Sequence, residues 1–336
     1  MTRKNAVVTG GLGFIGSHLV EHLIEQGYFV HIIDDFSNGR LENVINFVPK
    51  ENIQIHEHDI RDDVNLIQRR IQVDIDYIFH LAGKGDIVPS IDNPLEYFKT
   101  NVIGTVNCLE LARSWKVKKF VYAASSSCYG LAPTPTDERC PLSPQYPYAL
   151  SKLQGEQAAL HWAQVYSVPI ASIRIFNAYG PRVMTRGTYG AMFGVFIKQM
   201  LEQKPLTIVG DGSQERDFVY VSDVARAFRL VAENENALGV FNVGKGKSDK
   251  VIDIAKLISS DLQFIPKRPG EPTITLADIT RITTIVGWKP EVGIEEGVNK
   301  LLENSDDWRK APLWDASSIE VATANWFKYL KNQHNR

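Results

Sequence analysis

Two rhythms of apolar residues run through the first half of the chain. Short apolar runs at Ala6-Val7-Val8-Thr9 and at residues 28–33, 77–81, 119–123 and 170–174 have the length and β-branched content of buried strands. Between them, stretches near 94–114 and 147–167 place apolar residues at helical spacing. Strands alternate with helices as far as about residue 180. That alternation predicts an α/β architecture, a Rossmann-type doubly wound parallel sheet. After Gly180-Pro181 the texture changes, with Pro and Gly frequent and elements shorter. We therefore expect a large domain over 1–180, a smaller mixed α/β substrate-binding domain over 181–303 lying across the cleft, and a Trp-rich helical extension over 304–336. Residues 217–221 and 241–244 are each apolar enough to return to the large sheet. In the extension, Ser317-Ser318-Ile319-Glu320 reads as a capping box opening a last helix, with Ile319, Ala322, Trp326 and Leu330 along one stripe.

The first strand runs into Gly10-Gly11-Leu12-Gly13-Phe14-Ile15-Gly16 and then into a helical pattern. Glycines at 10, 13 and 16 allow a tight turn, close approach to a pyrophosphate and close packing of helix on strand, with the helix N-terminus facing the anion. The second strand ends at Asp34. A carboxylate there accepts from ribose hydroxyls and repels a 2′-phosphate, which favours NAD over NADP. A merely solvated strand end is the plainer alternative for Asp34-Asp35.

Tyr148 and Lys152, one helical turn apart, follow Ser125-Ser126-Ser127 by about twenty residues. A phenol titrates near ~10, so a useful phenolate fraction at neutral pH needs a lowering of ~2–3 units. One ammonium at ~5 Å with an effective dielectric of ~20 supplies roughly 3 kcal/mol towards it. The sequence thus predicts that Lys152 lowers the Tyr148 pKa, helped by the positive charge of an oxidised nicotinamide.

Composition narrows the function class. Lys plus Arg is 37 against 39 for Asp plus Glu, so no basic excess points to nucleic acid. Cys108, Cys128 and Cys140 lack paired metal spacing, no metal site is expected, and the chain opens on a strand without an apolar leader. A reducing, cytoplasmic setting is expected. No apolar run reaches the ~18 residues that span a bilayer, and nothing repeats at a solenoid period.

From about residue 5 to about 303 these motifs, in order and spacing, resemble the extended short-chain dehydrogenase/reductases that act on nucleotide sugars, most closely the UDP-glucose 4-epimerases and their N-acetylhexosamine relatives. The resemblance implies an NAD-dependent isomerase that epimerises C4 of a nucleotide-diphosphate hexose through a 4-keto sugar. It implies NAD contacts from Gly10, Gly13, Phe14, Ile15, Gly16, Asp34, Asp59, Ile60, Leu81, Ala82, Gly83, Asn101, Tyr148 and Lys152. Ser125, Tyr148 and Lys152 match the catalytic hydroxyl, base and lysine. Asn177, Arg216 and Arg268 match residues that hold a substrate diphosphate, where paired guanidinium forks suit phosphate geometry. The bland reading of each arginine is an ion pair with Asp217 or Glu271. Thr275 matches a residue flanking the sugar C2 substituent, and its small size would admit an N-acetyl group. A UDP-sugar partner and a homodimer built on a four-helix contact are also implied.

Departures from sister enzymes sharpen the expectation. The 4,6-dehydratases carry an Asp-Glu pair after the catalytic hydroxyl, and the decarboxylases a glutamate at the second of these positions; here Ser126 and Ser127 stand there. These two serines are expected to bond backbone. A 4-dehydrogenase or ketoreductase that stops at the keto sugar uses the same three residues and stays open as an alternative. Lys84 and Asp86 are unusual charges for the loop they occupy, and are read as pairing with each other rather than meeting a modified sugar. The last helix is expected against the small domain or a second subunit, with one tryptophan shaping the substrate entrance as the sharper alternative.

Overall fold

A computed structural model describes residues 3–183 and 191–330. Seven parallel strands form the central sheet. β1 (Asn5–Thr9), β2 (Phe29–Asp34), β3 (Ile53–Glu57), β4 (Tyr77–His80), β5 (Lys119–Ser125) and β6 (Ile170–Ile175) are joined by Gly239–Val243, in the order 239–243, β6, β5, β4, β1, β2, β3. The order reverses beside β1, which pairs with β2 on one side and β4 on the other. Ligands of such sheets bind beyond the carboxyl ends of the strands at this switch point.

One face of the sheet is covered by α1 (Phe14–Glu25) and helix Val221–Glu233, which share a core with Val8, Phe79, Phe228 and the fully buried Trp288. Helices Gly104–Trp115 and Pro147–Tyr166 cover the other. Strands buried on both faces read as continuous apolar runs, which is why β1, β2, β4, β5 and β6 stand out in the sequence. The helical stretch over 94–114 contains a π turn at Lys99–Ile103 between Pro94–Phe98 and Gly104–Trp115. Gly104 is required there, because a Cβ would lie 2.5 Å from Ile60 Cδ1.

Of the two later segments able to return to the sheet, residues 239–243 do so, in register with 171–175. Phe218–Tyr220 does not. It pairs in parallel with Asn177–Tyr179, immediately after β6, and this small ribbon carries the chain into the second layer. There Leu206–Val209 pairs with Leu262–Ile265. The last helix, Ala316–Leu330, opens two residues earlier than the sequence pattern suggests. Asp315 Oδ1 accepts from Ser318 N at 2.8 Å, so an aspartate takes the capping position that was expected of Ser317. Ile319, Thr323, Trp326 and Leu330 are its buried residues, with Ala322 at the edge of the stripe. Among the described residues no helix is long and apolar enough to cross a membrane.

Candidate active site

The turn after β1 is closed by its own glycines. Gly10 has φ +68°, and a Cβ on it would lie 2.7 Å from Ala82 N; a Cβ on Gly16 would lie 2.1 Å from Gly10 O. Asp34, nearly buried at the end of β2, accepts from Leu12 N and Phe36 N, each at 3.0 Å. Burial pushes its carboxyl up and these backbone donors pull it down. A cavity of about 390 Å³ runs over this turn, lined by Gly10, Gly13, Asp34, Asp59, Ile60 and Leu81 among others. Phe14, Ile15, Gly16, Ala82 and Gly83 also face it. Asp59 is gripped by Arg61, whose Nε lies 2.8 Å from Oδ2.

The residues fit a dinucleotide. The glycine cradle leaves backbone room for a pyrophosphate, and Arg182, on the same wall, has a buried Nη1 with no hydrogen-bond partner among the described residues while Nη2 pairs with Glu21 at 2.6 Å. Sequence reasoning passed over Arg182. An arginine just past a strand end is its only sequence signal.

Asn101 lies behind this wall. Its Oδ1 accepts from Lys84 N at 2.8 Å, and its Nδ2 donates to Lys84 O and to Ser151 Oγ. It fastens the 84 loop to helix Pro147–Tyr166. A buried chain of hydroxyls fixes His80 beneath the same loop. Thr105 Oγ1 donates to Asn101 O at 2.7 Å, so it accepts from His80 Nε2–H, and Nδ1 then accepts from Thr9 Oγ1 at 2.7 Å.

Beyond β5 lies a second cavity of about 400 Å³, lined by Ser125, Ser127, Tyr148, Asn177, Arg268 and Trp326 among others, and sharing Phe14, Ile15 and Asp86 with the first. Ser125 and Tyr148 both line it, and the Ser125 side chain acts to lower the Tyr148 phenol pKa. Tyr146 stacks on Tyr148 with rings 6.3 Å apart, and burial pushes its own phenol up, with the Ser127 side chain opposing. Tyr146, which sequence reasoning passed over, thus packs behind the Tyr148 ring.

The electrostatics depart from the sequence expectation. Burial pushes the Tyr148 phenol up to about 12, with the Ser125 side chain opposing, and Asp86 raises it further. Burial pushes Lys152 down to about 7, with Glu156 opposing. The Lys152 ammonium lies 4.4 Å from the centre of the Tyr122 ring, and it is not among the charges acting on Tyr148. Desolvation dominates at each group, so the chain alone holds the phenol neutral.

A third cavity, about 240 Å³, continues from the second past Asn177, Arg268 and Glu271 to Phe193, Arg216 and Phe218. Glu271 faces both arginines, at 3.2 Å from Arg268 Nη1 and 3.7 Å from Arg216 Nη2. The two guanidiniums predicted from distant segments do converge, with a protein carboxylate between them. Asp217 is not their partner. It is fully buried and accepts from Lys245, Gly246 and Ala277 backbone N–H groups. Thr275 stands behind Asn177, its Oγ1 accepting from Asn177 Nδ2 at 3.1 Å and from Asp217 N at 3.2 Å. It is absent from the walls of these three cavities.

The last helix covers the sugar end. Trp326 is buried against Val88, its Nε1 donates to Pro269 O at 2.8 Å, and its ring lies 6.0 Å from Tyr146 and 5.6 Å from the Arg268 guanidinium carbon. Lys84 and Asp86 form no ion pair among the described residues. The backbone of Lys84 is clamped by Asn101 and the residue lines the first cavity, whereas Asp86 lines both the first and the second. No group of three His, Cys, Asp or Glu among the described residues is arranged to hold a metal.

The sequence model of the NAD dependent epimerase/dehydratase family matches residues 6–244. A UDP-glucose 4-epimerase of Mycolicibacterium smegmatis is 34% identical over 305 residues, 88% of this chain and 97% of that protein. The structure of UDP-N-acetylglucosamine 4-epimerase from Methanobrevibacter ruminantium, in complex with UDP-N-acetylmuramic acid, matches with TM-score 0.82 and 34% identity, covering 90% of this chain and 100% of that one. UDP-glucuronic acid 4-epimerase from Bacillus cereus, in complex with UDP-glucuronic acid and NAD, matches with TM-score 0.82 and 31% identity, covering 90% and 99%. The chain belongs to the NAD dependent epimerase/dehydratase family, within the extended short-chain dehydrogenase/reductases.

Proposed function

We propose that this protein is an NAD-dependent epimerase that inverts C4 of a UDP-hexose. The observation that carries the reading is the convergence of Ser125 and Tyr148 on one cavity that joins the glycine turn and Asp34 on one side to Arg268 and Arg216 on the other. Gly10, Gly13, Gly16, Asp34 and Arg182 would hold NAD, which supplies the acceptor and donor of the hydride that C4 gives up and regains by way of a 4-keto sugar.

The chain does the rest. Arg216 and Arg268 bind the diphosphate in place of Glu271 and leave the hexose free to turn over between the two half-reactions. Ser125 donates to the 4-oxygen while Tyr148 takes its proton, and on the return Tyr148 gives the proton back. Because burial leaves the phenol neutral, its base form depends on positive charge arriving beside it, which the oxidised nicotinamide would supply, while Lys152 would hold the cofactor in place. Ser126 and Ser127 supply no carboxyl where dehydration or decarboxylation calls for one.

The proposal includes a homodimer, since helices Gly104–Trp115 and Pro147–Tyr166 and the turn before them expose Ile103, Leu150 and Val165. It also includes a cytoplasmic setting, in keeping with the free Cys108, Cys128 and Cys140. Tyr148→Phe tests the central assignment. It removes the proton carrier and keeps the ring, so turnover falls by about 10²–10⁴ while fold and bound NAD persist. Retained turnover in that variant would remove Tyr148 from the mechanism.

A further inference from the structure

One carboxylate in the cleft has no part in the chemistry just described. Asp86 occupies the N-cap position of helix Ile87–Asp92, yet its side chain makes no capping hydrogen bond. It lies at the junction of the cofactor and sugar cavities, next to Tyr148. Lys84 acts on it only through space and lines the cofactor cavity alone of the two. On the sugar side the cavity that Asp86 lines also carries Ile87, Val88 and the Trp326 ring, whose Nε1 is already given to Pro269. Arg268, a cation among the described residues lining that cavity, faces Glu271.

We propose, on the epimerase reading above, that Asp86 sets the class of sugar admitted: neutral hexoses that present a hydroxyl or amide N–H donor to it, with uronic acids rejected. A half-buried carboxylate without a protein donor gains from a ligand donor. A second carboxylate brought into the same partly dehydrated space meets repulsion, and Arg268, the one cation among the described residues of that cavity, already faces Glu271. This sets the chain apart from the Bacillus cereus relative, whose structure holds UDP-glucuronic acid.

The test compares kcat/KM for UDP-glucose and UDP-glucuronic acid in the wild type, Asp86→Asn and Asp86→Ala, each with its full complement of NAD. The wild type should favour the neutral sugar by about 100-fold or more, and both variants should shift the ratio towards the uronate by about tenfold or more, chiefly through KM. A structural role would lower both sugars together and leave the ratio alone. Equal use of the two sugars by the wild type, or an unchanged ratio in folded variants, would overturn the inference. If the variants do not fold, calorimetric binding of the two sugars to the wild type decides it, with tighter binding of UDP-glucose supporting it and equal or reversed affinity overturning it. Absence of turnover with both sugars would count against the epimerase reading, and the same binding comparison would still decide this one.

Discussion

Trp326 and Arg268 hold one another in place: the guanidinium carbon lies 5.6 Å from the centre of the indole ring, and the indole Nε1–H is given to the carbonyl of the next residue, Pro269, at 2.8 Å. The last helix thus braces the loop that presents Arg268, one of the two arginines proposed to bind the diphosphate, and at the same time walls the cavity shared by Ser125 and Tyr148. The position against Val88 and Tyr146 shows that its packing partners come from the nucleotide-binding half of the chain as well as from the loop carrying Arg268.

Trp326→Ala is expected to raise KM for the nucleotide sugar by about tenfold with a smaller effect on kcat, because the bracing acts on binding in ground and transition states alike. Removing so large a buried ring also costs about 3–5 kcal/mol of local packing. Steady-state kinetics with a thermal melt check both, and unchanged KM in a folded variant would detach the helix from the site.

Glu156 and Arg174 form a buried pair at 2.5 Å beneath the active-site helix, with Ser172 Oγ donating to the same carboxylate at 2.8 Å. Glu156→Gln leaves a buried guanidinium without its counter-charge and should cost about 3–5 kcal/mol. Urea unfolding measures it. A loss below about 1 kcal/mol would mean that the pair is not the support it appears in the packing.

Lys152 gives the cofactor-free protein a pH dependence whose sign is fixed. Its folded pKa, about 7, lies below the ~10.5 of an unfolded lysine, so between these values the unfolded chain binds a proton that the folded chain does not. Stability contributed at this site therefore rises with pH across that window, by at most about 1.4 kcal/mol per unit. Lys152→Met should remove this slope, so its stability advantage over wild type shrinks between pH 7 and pH 9. Parallel curves for the two proteins would contradict it.

Asp34 accepts two backbone N–H groups and still faces the cofactor cavity. Asp34→Ala should lower the NAD carried through purification, read from nicotinamide absorbance after denaturation, and should loosen the glycine turn. Full NAD content would remove Asp34 from cofactor binding.

What could be read from the sequence was local. The strand, glycine turn and helix over 5–25, and Tyr148 with Lys152 on one helix, follow from short-range periodicity and spacing. β3 was missed because Ile53 and Ile55 alternate with Gln54 and His56 on an edge strand, and only pairing with β2 makes the segment a strand. The place of 239–243 rests on contact with residues about seventy positions earlier, which periodicity does not encode. The same holds for Glu271 between two arginines and for Thr275 behind Asn177. The depressed Lys152 and raised Tyr148 reflect burial, which a spacing of four residues does not reveal.

The most direct test of the account is proton NMR of the purified protein with a panel of nucleotide sugars and no added NAD. The account predicts conversion of a gluco sugar to its galacto epimer, with cofactor retained and no net reduction. Accumulation of a 4-keto sugar in step with reduced-nicotinamide absorbance, without the epimer, would contradict it.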